Sequence, residues 1–246
     1  MDYLNKIESI RKSKGSVAIA LIDPDKKNDL KIEELIKKIN KSNFDIIFIG
    51  GSMMMDDKYQ ERIKFIKKNT SLPLILFPGS SRQISANVDC VLFLNLISGR
   101  NPQYLIGEHV AAAPIIYSLK LPTIPTSYIL IDGGSRSAIE IISDTRALPQ
   151  ENFDLVLAHV IAGELMGNRL TYLECGSNAA KSINVSLIKY IKKYMKTPLV
   201  IGGGLKNKSQ IDLLVKAGAD YIVLGSILED NLSADELIDI TSIIHK

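Results

Sequence analysis

Residues 200–226 read "VIGGGLKNKSQIDLLVKAGADYIVLGS", and this stretch decides the fold. A short apolar run breaks at Gly202-Gly203-Gly204, a helix is expected over 207–217 with Asn207 or Ser209 as its cap, and a second apolar run ends at Gly225-Ser226. That is one strand, helix, strand unit with glycine at both strand ends. Glycine lets backbone N–H groups approach an anion closely, and the helix N-terminus that follows adds partial positive charge. Two such loops after the last two strands are how (β/α)8 barrels hold phosphate. The competing reading is that these glycines serve only tight turns.

Working outward, the same pattern fills the chain. Apolar runs rich in Val, Ile and Leu occur at 17–23, 45–52, 73–79, 90–98, 127–134, 170–177, 198–204 and 221–226, eight strand candidates in all. They are nearly continuous in apolar character, as a parallel sheet covered on both faces requires. Helices are expected between them, for example where Ile32, Leu35, Ile36 and Ile39 recur at three and four spacing among lysines, and again at 58–68, 102–119, 151–166, 182–194 and 233–244. Ser233 with Glu236 three residues later forms a capping box for the last. Eight βα units in one domain, 1–246, predict an α/β chain closed as a (β/α)8 TIM barrel, with a doubly wound open sheet as the competing topology. Only "SSRQISANVD" lies between Gly79 and Cys90, so the third helix is expected to be irregular or missing.

Bulk properties narrow the class. The 246 residues are 46% hydrophobic and 23% charged, with a net charge of +3, so the chain is globular and carries no concentrated basic footprint for nucleic acid. Cys90 and Cys175 fall in apolar runs without metal-ligand spacing, which fits buried thiols in a reducing compartment. The charged N-terminal stretch has no apolar h-region, and no run reaches the length of a membrane span, so a cytoplasmic location is expected.

In a barrel the active site lies at the C-terminal ends of the strands, and those ends are polar or small here: Asp23, Ser52, Asp132, Glu174 with Ser177 and Asn178, Gly202–Gly204, and Gly225 with Ser226. A buried strand has no need of Glu174. At a strand end beside a phosphate site it reads as a general base or an acceptor for a substrate hydroxyl, the competing reading being a paired charge inside the barrel. Tyr172, two residues earlier, points to the same side. Asp23, followed by Pro24, is a candidate for a hard divalent ion shared with substrate phosphates, or else a turn residue; Ser52 offers a neighbouring oxygen. His109, His159 and His245 read as structural or exposed.

The set "LIDPDK", "GGS", "YLECGSNA", "VIGGGLKN" and "ADYIVLGSILE" resembles the geranylgeranylglyceryl phosphate synthase family and its heptaprenylglyceryl phosphate synthase relatives, over essentially the whole chain. The resemblance implies transfer of a prenyl group from an allylic diphosphate to the 3-hydroxyl of sn-glycerol 1-phosphate, with Mg²⁺ and release of pyrophosphate. It further implies that Asp23 and Ser52 serve the metal, and that Tyr172, Leu173, Glu174, Cys175, Gly176, Ser177, Asn178, Gly203, Gly204, Gly225 and Ser226 serve glycerol phosphate. Glu174 is then the base, with Tyr172 beside it. The heptaprenyl branch has lysine two residues before the first aspartate, where this chain has Leu21, so a C20 donor is expected. The resemblance also implies a dimer or hexamer and transient contact with a membrane surface, and the residues at 108–122 are expected to border an apolar groove for the prenyl tail. Another phosphate-binding barrel isomerase or synthase, with Asp132 as a second carboxylate, is the alternative; a catalytically silent barrel is a further one.

Overall fold

The computed structural model describes residues 2–229 and 232–245. Eight parallel strands pair in chain order, and the eighth returns to the first to close a barrel. They are β1 (Val17–Ile22), β2 (Ile46–Ile49), β3 (Leu74–Leu76), β4 (Cys90–Leu96), β5 (Thr123–Leu130), β6 (Leu170–Glu174), β7 (Leu199–Gly202) and β8 (Tyr221–Leu224). The expected (β/α)8 closure is what forms. β5 starts four residues before the sequence reading places it: Thr123 through Tyr128 pair in register with Val91 through Leu96 of β4.

Strand alternation sorts the apolar residues into two layers. Ile19, Phe48, Ile75, Leu92, Tyr128, Tyr172, Val200 and Val223 fill the barrel interior. Ile22, Ile47, Leu76, Ile129, Leu173, Ile201 and Ile222 face the surrounding helices. Those helices are α1 (Tyr3–Lys14), α2 (Ile32–Lys41), α3 (Tyr59–Lys68), α4 (Glu108–Ser118), α5 (Ala138–Ser143), α6 (Phe153–Leu165), α7 (Val185–Ile191), α8 (Lys208–Ala217), α9 (Ser226–Glu229) and α10 (Ala234–Ile244). Asn207 caps α8 by accepting from the Gln210 N–H, and Ser233 with Glu236 caps α10 reciprocally, as the sequence signals predict.

Three helices escape the sequence reading, of which the four-residue α9 directly after Gly225 is the shortest. α1 closes the N-terminal end of the barrel: Leu4 and Ile7 join the interior cluster, Arg11 reaches Asp220, and the Tyr221 hydroxyl donates to Glu8. α5 is a six-residue helix with its own capping box at Ser137 and Glu140. The third crossover is a single 3-10 turn, Ser81–Gln83, so β3 and β4 are left without a long covering helix. On the far side of that opening a five-residue π turn, Gln103–Gly107, leads into α4. Among the described residues no helix is long and apolar enough to cross a membrane.

Candidate active site

Strand ends and the loops after them form one cavity at the C-terminal mouth of the barrel. It holds about 1570 Å³ of empty space, open mouth included, and its lining runs from Asp23 and Ser52 on one side to Glu174, Gly203 and Gly225 on the other.

On the β6–β8 side lie Tyr172, Glu174, Gly176, Ser177, Gly203, Gly204, Gly225 and Ser226. Glu174 ends β6 with its side chain turned inward, and it is 7% exposed. Burial pushes its carboxyl up to about 6, while the Gly176 N–H, donating to Oε1 at 2.6 Å, and the neighbouring Tyr172 hydroxyl hold it from rising further. A carboxyl near 6 is charged at neutral pH and still basic enough to take a proton. The Tyr172 hydroxyl goes the other way. Burial first, then the charge of Glu174, hold it well above the usual tyrosine value, so it stays protonated, a buried hydroxyl without a hydrogen-bond partner among the described residues.

Gly202 explains how the two groups converge. A Cβ there would meet the Tyr172 hydroxyl and lie 2.6 Å from Glu174 Oε2. Gly203 and Gly204 adopt φ of +81° and +67°, conformations that side chains disfavour. Their N–H groups make no hydrogen bond within the described residues, which leaves them free for an anion.

Across the mouth, Asp23 follows β1 and Ser52 follows β2, and both line the cavity. The Asp23 carboxylate lies so close over Gly51 that no Cβ fits there. Its Oδ1 is buried without a hydrogen-bond partner, and Lys27 Nζ stands 3.5 Å from Oδ2. Burial raises the Asp23 carboxyl against the pull of Lys27. Among the described residues no group of three or more His, Cys, Asp or Glu side chains converges on a point.

Not every expected residue contributes its side chain. Leu173 and Cys175 are buried in the layer between strands and helices, because alternation turns every second residue of β6 away from the mouth. Asn178, at φ +58°, takes a left-handed turn position outside the cavity. Asp132 is exposed and accepts from the Gly134 N–H at 2.8 Å; it does not reach the cavity, so the isomerase alternative loses its second carboxylate.

Other lining residues went unread. Phe77, Tyr128 and Tyr172 pack with ring centroids 5.3–5.5 Å apart just inside the mouth. Counting inward positions from Glu174 would have found Tyr128, which is the register partner of Tyr172. From the mouth an apolar groove passes outward beside Ile84, Val91, Phe93, Ala112 and Ile116, through the side that the shortened third crossover leaves uncovered. Part of the expected 108–122 border is therefore in place. His109 also lines it, packed with its ring edge-on to Phe93 at 4.6 Å; burial pulls its pKa down, so it is neutral there.

The chain as a whole is similar to known proteins. A protein of Flavobacterium johnsoniae named geranylgeranylglyceryl phosphate synthase is 40% identical over 226 residues, 92% of this chain and 93% of its own. One of Chitinophaga pinensis with the same name is 39% identical over 224 residues, 91% and 89% of the two chains. The crystal structure of (S)-3-O-geranylgeranylglyceryl phosphate synthase from Thermoplasma acidophilum, in complex with its substrate sn-glycerol-1-phosphate, superposes with a TM-score of 0.90 at 29% identity, covering 97% and 98%. The model of the PcrB family matches residues 8–243, from within α1 to the last turn of α10, and with a fold and relatives in agreement over that length, the chain belongs to the PcrB family.

Proposed function

We propose that this chain transfers a geranylgeranyl group from geranylgeranyl diphosphate to the 3-hydroxyl of sn-glycerol 1-phosphate, forming an ether and releasing pyrophosphate. The observation that carries the reading is Glu174: a buried carboxylate with its pKa near 6, beside a protonated Tyr172 hydroxyl and two glycine loops with unpaired amides. The relatives named geranylgeranylglyceryl phosphate synthase and the glycerol-phosphate complex support it.

In this reading the amides of Gly203 and Gly204, with Gly225 and Ser226 opposite, hold the phosphate of the acceptor and aim its 3-hydroxyl at Glu174. Glu174 takes the hydroxyl proton as the oxygen bonds to C1 of the prenyl donor, and the C1–O bond to the diphosphate breaks with its electron pair. Tyr172 donates a hydrogen bond within that arrangement. The groove beside Ile84, Phe93, Ala112 and Ile116 takes the tail and keeps water from the reacting carbon.

Asp23 and Ser52 suit a magnesium ion. An orphaned, buried carboxylate oxygen is what a hard cation satisfies, and one carboxylate plus substrate phosphates is its common ligand set. Such an ion, when bound, neutralises charge on the leaving diphosphate. The reading extends to assembly: α4 exposes Val110 and Ile115, and α6 exposes Leu165, apolar faces that a second copy of the chain would cover.

The test is product formation from purified protein, Mg²⁺, labelled sn-glycerol 1-phosphate and C15, C20 and C35 prenyl diphosphates, with an EDTA control. A chelator-sensitive ether product, greatest with the C20 donor, is expected. Absence of product with every donor, from folded protein that binds phosphate, would overturn the proposal.

A further inference from the structure

Arg62 of α3 is an arginine whose side chain is only 7% exposed, yet it touches no substrate-facing atom of the cavity. It carries two carboxylates. Nε and Nη2 donate to the two oxygens of Asp29 at 2.5 and 2.9 Å, and Nη1 and Nη2 donate to those of Asp56 at 2.6 and 2.7 Å. Burying a guanidinium is unfavourable unless its charge and donors are matched, and here four charge-assisted bonds match them.

What matters is where the carboxylates sit. Asp29 belongs to the loop that begins with Asp23, and Asp56 to the loop that begins with Ser52. The hydrogen bonds inside the first loop are local: Asn28 donates to the Asp23 carbonyl, and the Lys27 amide to Asp25. The second is tied at its root, where Gln83 donates to the Gly51 carbonyl at 2.9 Å, and beyond Ser52 it is cross-linked through Asp56. Two loops that must place Asp23 and Ser52 against one ion and one diphosphate are thus joined to each other through a single side chain from a third element.

We infer that Arg62 is a positioning residue for the diphosphate side of the site: it locks the loops after β1 and β2 together, so that Asp23 and Ser52 are held in register before substrate arrives. This rests on the proposed magnesium and diphosphate role of those two residues. Lysine cannot replace it, since a single ammonium does not span two carboxylates in the planar, forked manner of a guanidinium. The glycerol-phosphate half, built on β6–β8, is independent of the clamp.

The experiment compares the parent with Arg62→Lys and with the variant Arg62→Met/Asp29→Asn/Asp56→Asn, in which all three side chains are neutral. Binding of Mn²⁺ is followed by electron paramagnetic resonance in the presence of inorganic pyrophosphate, and binding of sn-glycerol 1-phosphate by calorimetry without metal. Both variants are expected to bind Mn²⁺–pyrophosphate about 10–100-fold more weakly, the scale seen when support around a metal site is removed, and to show KM for the prenyl diphosphate rising by a similar factor. Glycerol phosphate affinity should stay within about twofold. Variants that bind Mn²⁺–pyrophosphate as the parent does would overturn the clamp and leave the metal reading intact. Parent protein that binds no Mn²⁺ with pyrophosphate would overturn both. Equal weakening of both ligands would also sink the inference, because it would mark Arg62 as a general support of the fold. Should Arg62→Lys fail to fold, the neutral triple variant, which leaves no unpaired charge, carries the same comparison.

Discussion

Replacing Glu174 by glutamine should abolish turnover and at the same time stabilise the protein at neutral pH. The carboxyl titrates at about 6 in the folded state, against an ordinary value of 4.5 that the unfolded chain would show. Between those two values the folded state binds more protons than the unfolded one, so stability falls as pH rises through this window and stays lower above it. The interval corresponds to about 2 kcal/mol at 1.36 kcal/mol per pH unit. Glutamine keeps the shape and an oxygen for the Gly176 N–H, and it has no charge to bury. At pH 7.5 the variant should therefore gain up to about 2 kcal/mol, or about 4–8 °C in Tm for a chain of this size, and near pH 4.5 the difference should vanish. Loss of a general base predicts a fall in kcat of about 10²–10⁴-fold, with glycerol phosphate binding kept. Thermal unfolding of both proteins at pH 4.5, 6 and 7.5, beside turnover at saturating substrates, decides the matter. A variant that is less stable at pH 7.5, or a difference that does not shrink toward pH 4.5, would refute burial as the origin of the raised pKa; unchanged turnover would remove Glu174 from the base role.

Other consequences follow from the same geometry. For the parent enzyme kcat/KM should fall about tenfold per pH unit below about pH 6, the acid limb set by Glu174, and a flat profile down to pH 5 would contradict it. Gly204→Ala forces a side chain into φ +67° with its Cβ 2.5 Å from the Lys181 carbonyl, so glycerol phosphate affinity measured by calorimetry should weaken by about 1–3 kcal/mol. Gly51→Ala displaces the Asp23 carboxylate; the magnesium concentration giving half-maximal activity should rise by about 10-fold or more, with glycerol phosphate binding unchanged. Ile116→Trp fills the groove beside α4, and in a competition between C15 and C20 donors the product ratio should move toward the shorter chain.

The chain's own chemistry made much of this legible. Eight continuous apolar runs, each closing on a polar or glycine turn, leave few arrangements other than a covered parallel barrel, and a carboxylate at the end of one such run marks the rim. Asp23, Ser52, Glu174, the glycines at 203–204 and the Gly225-Ser226 turn were all accessible this way, since each is defined by its place at the end of a local element. Within 172–178, where the resemblance implied every residue, alternation selected among them: Tyr172 and Glu174 face the cavity, and Leu173 and Cys175 face the helices.

Closure of the barrel decided the rest. Tyr128 and Tyr172 come from β5 and β6 and Phe77 from the residue just after β3, and only their common inward parity brings the rings within 5.5 Å. α1 carries little apolar signal of its own, and its role depends on an open barrel end to receive Leu4 and Ile7. The groove exists because a ten-residue crossover is too short to form a helix, yet which residues line it depends on α4 standing across the gap. Arg62, Asp29 and Asp56 are separated by 33 and 6 residues from the arginine to each partner, and no local pattern links them. A strand end can be read from neighbours in sequence because backbone geometry fixes it; a clamp, a ring cluster or a groove is a meeting of distant residues, and it has no form until the chain has folded.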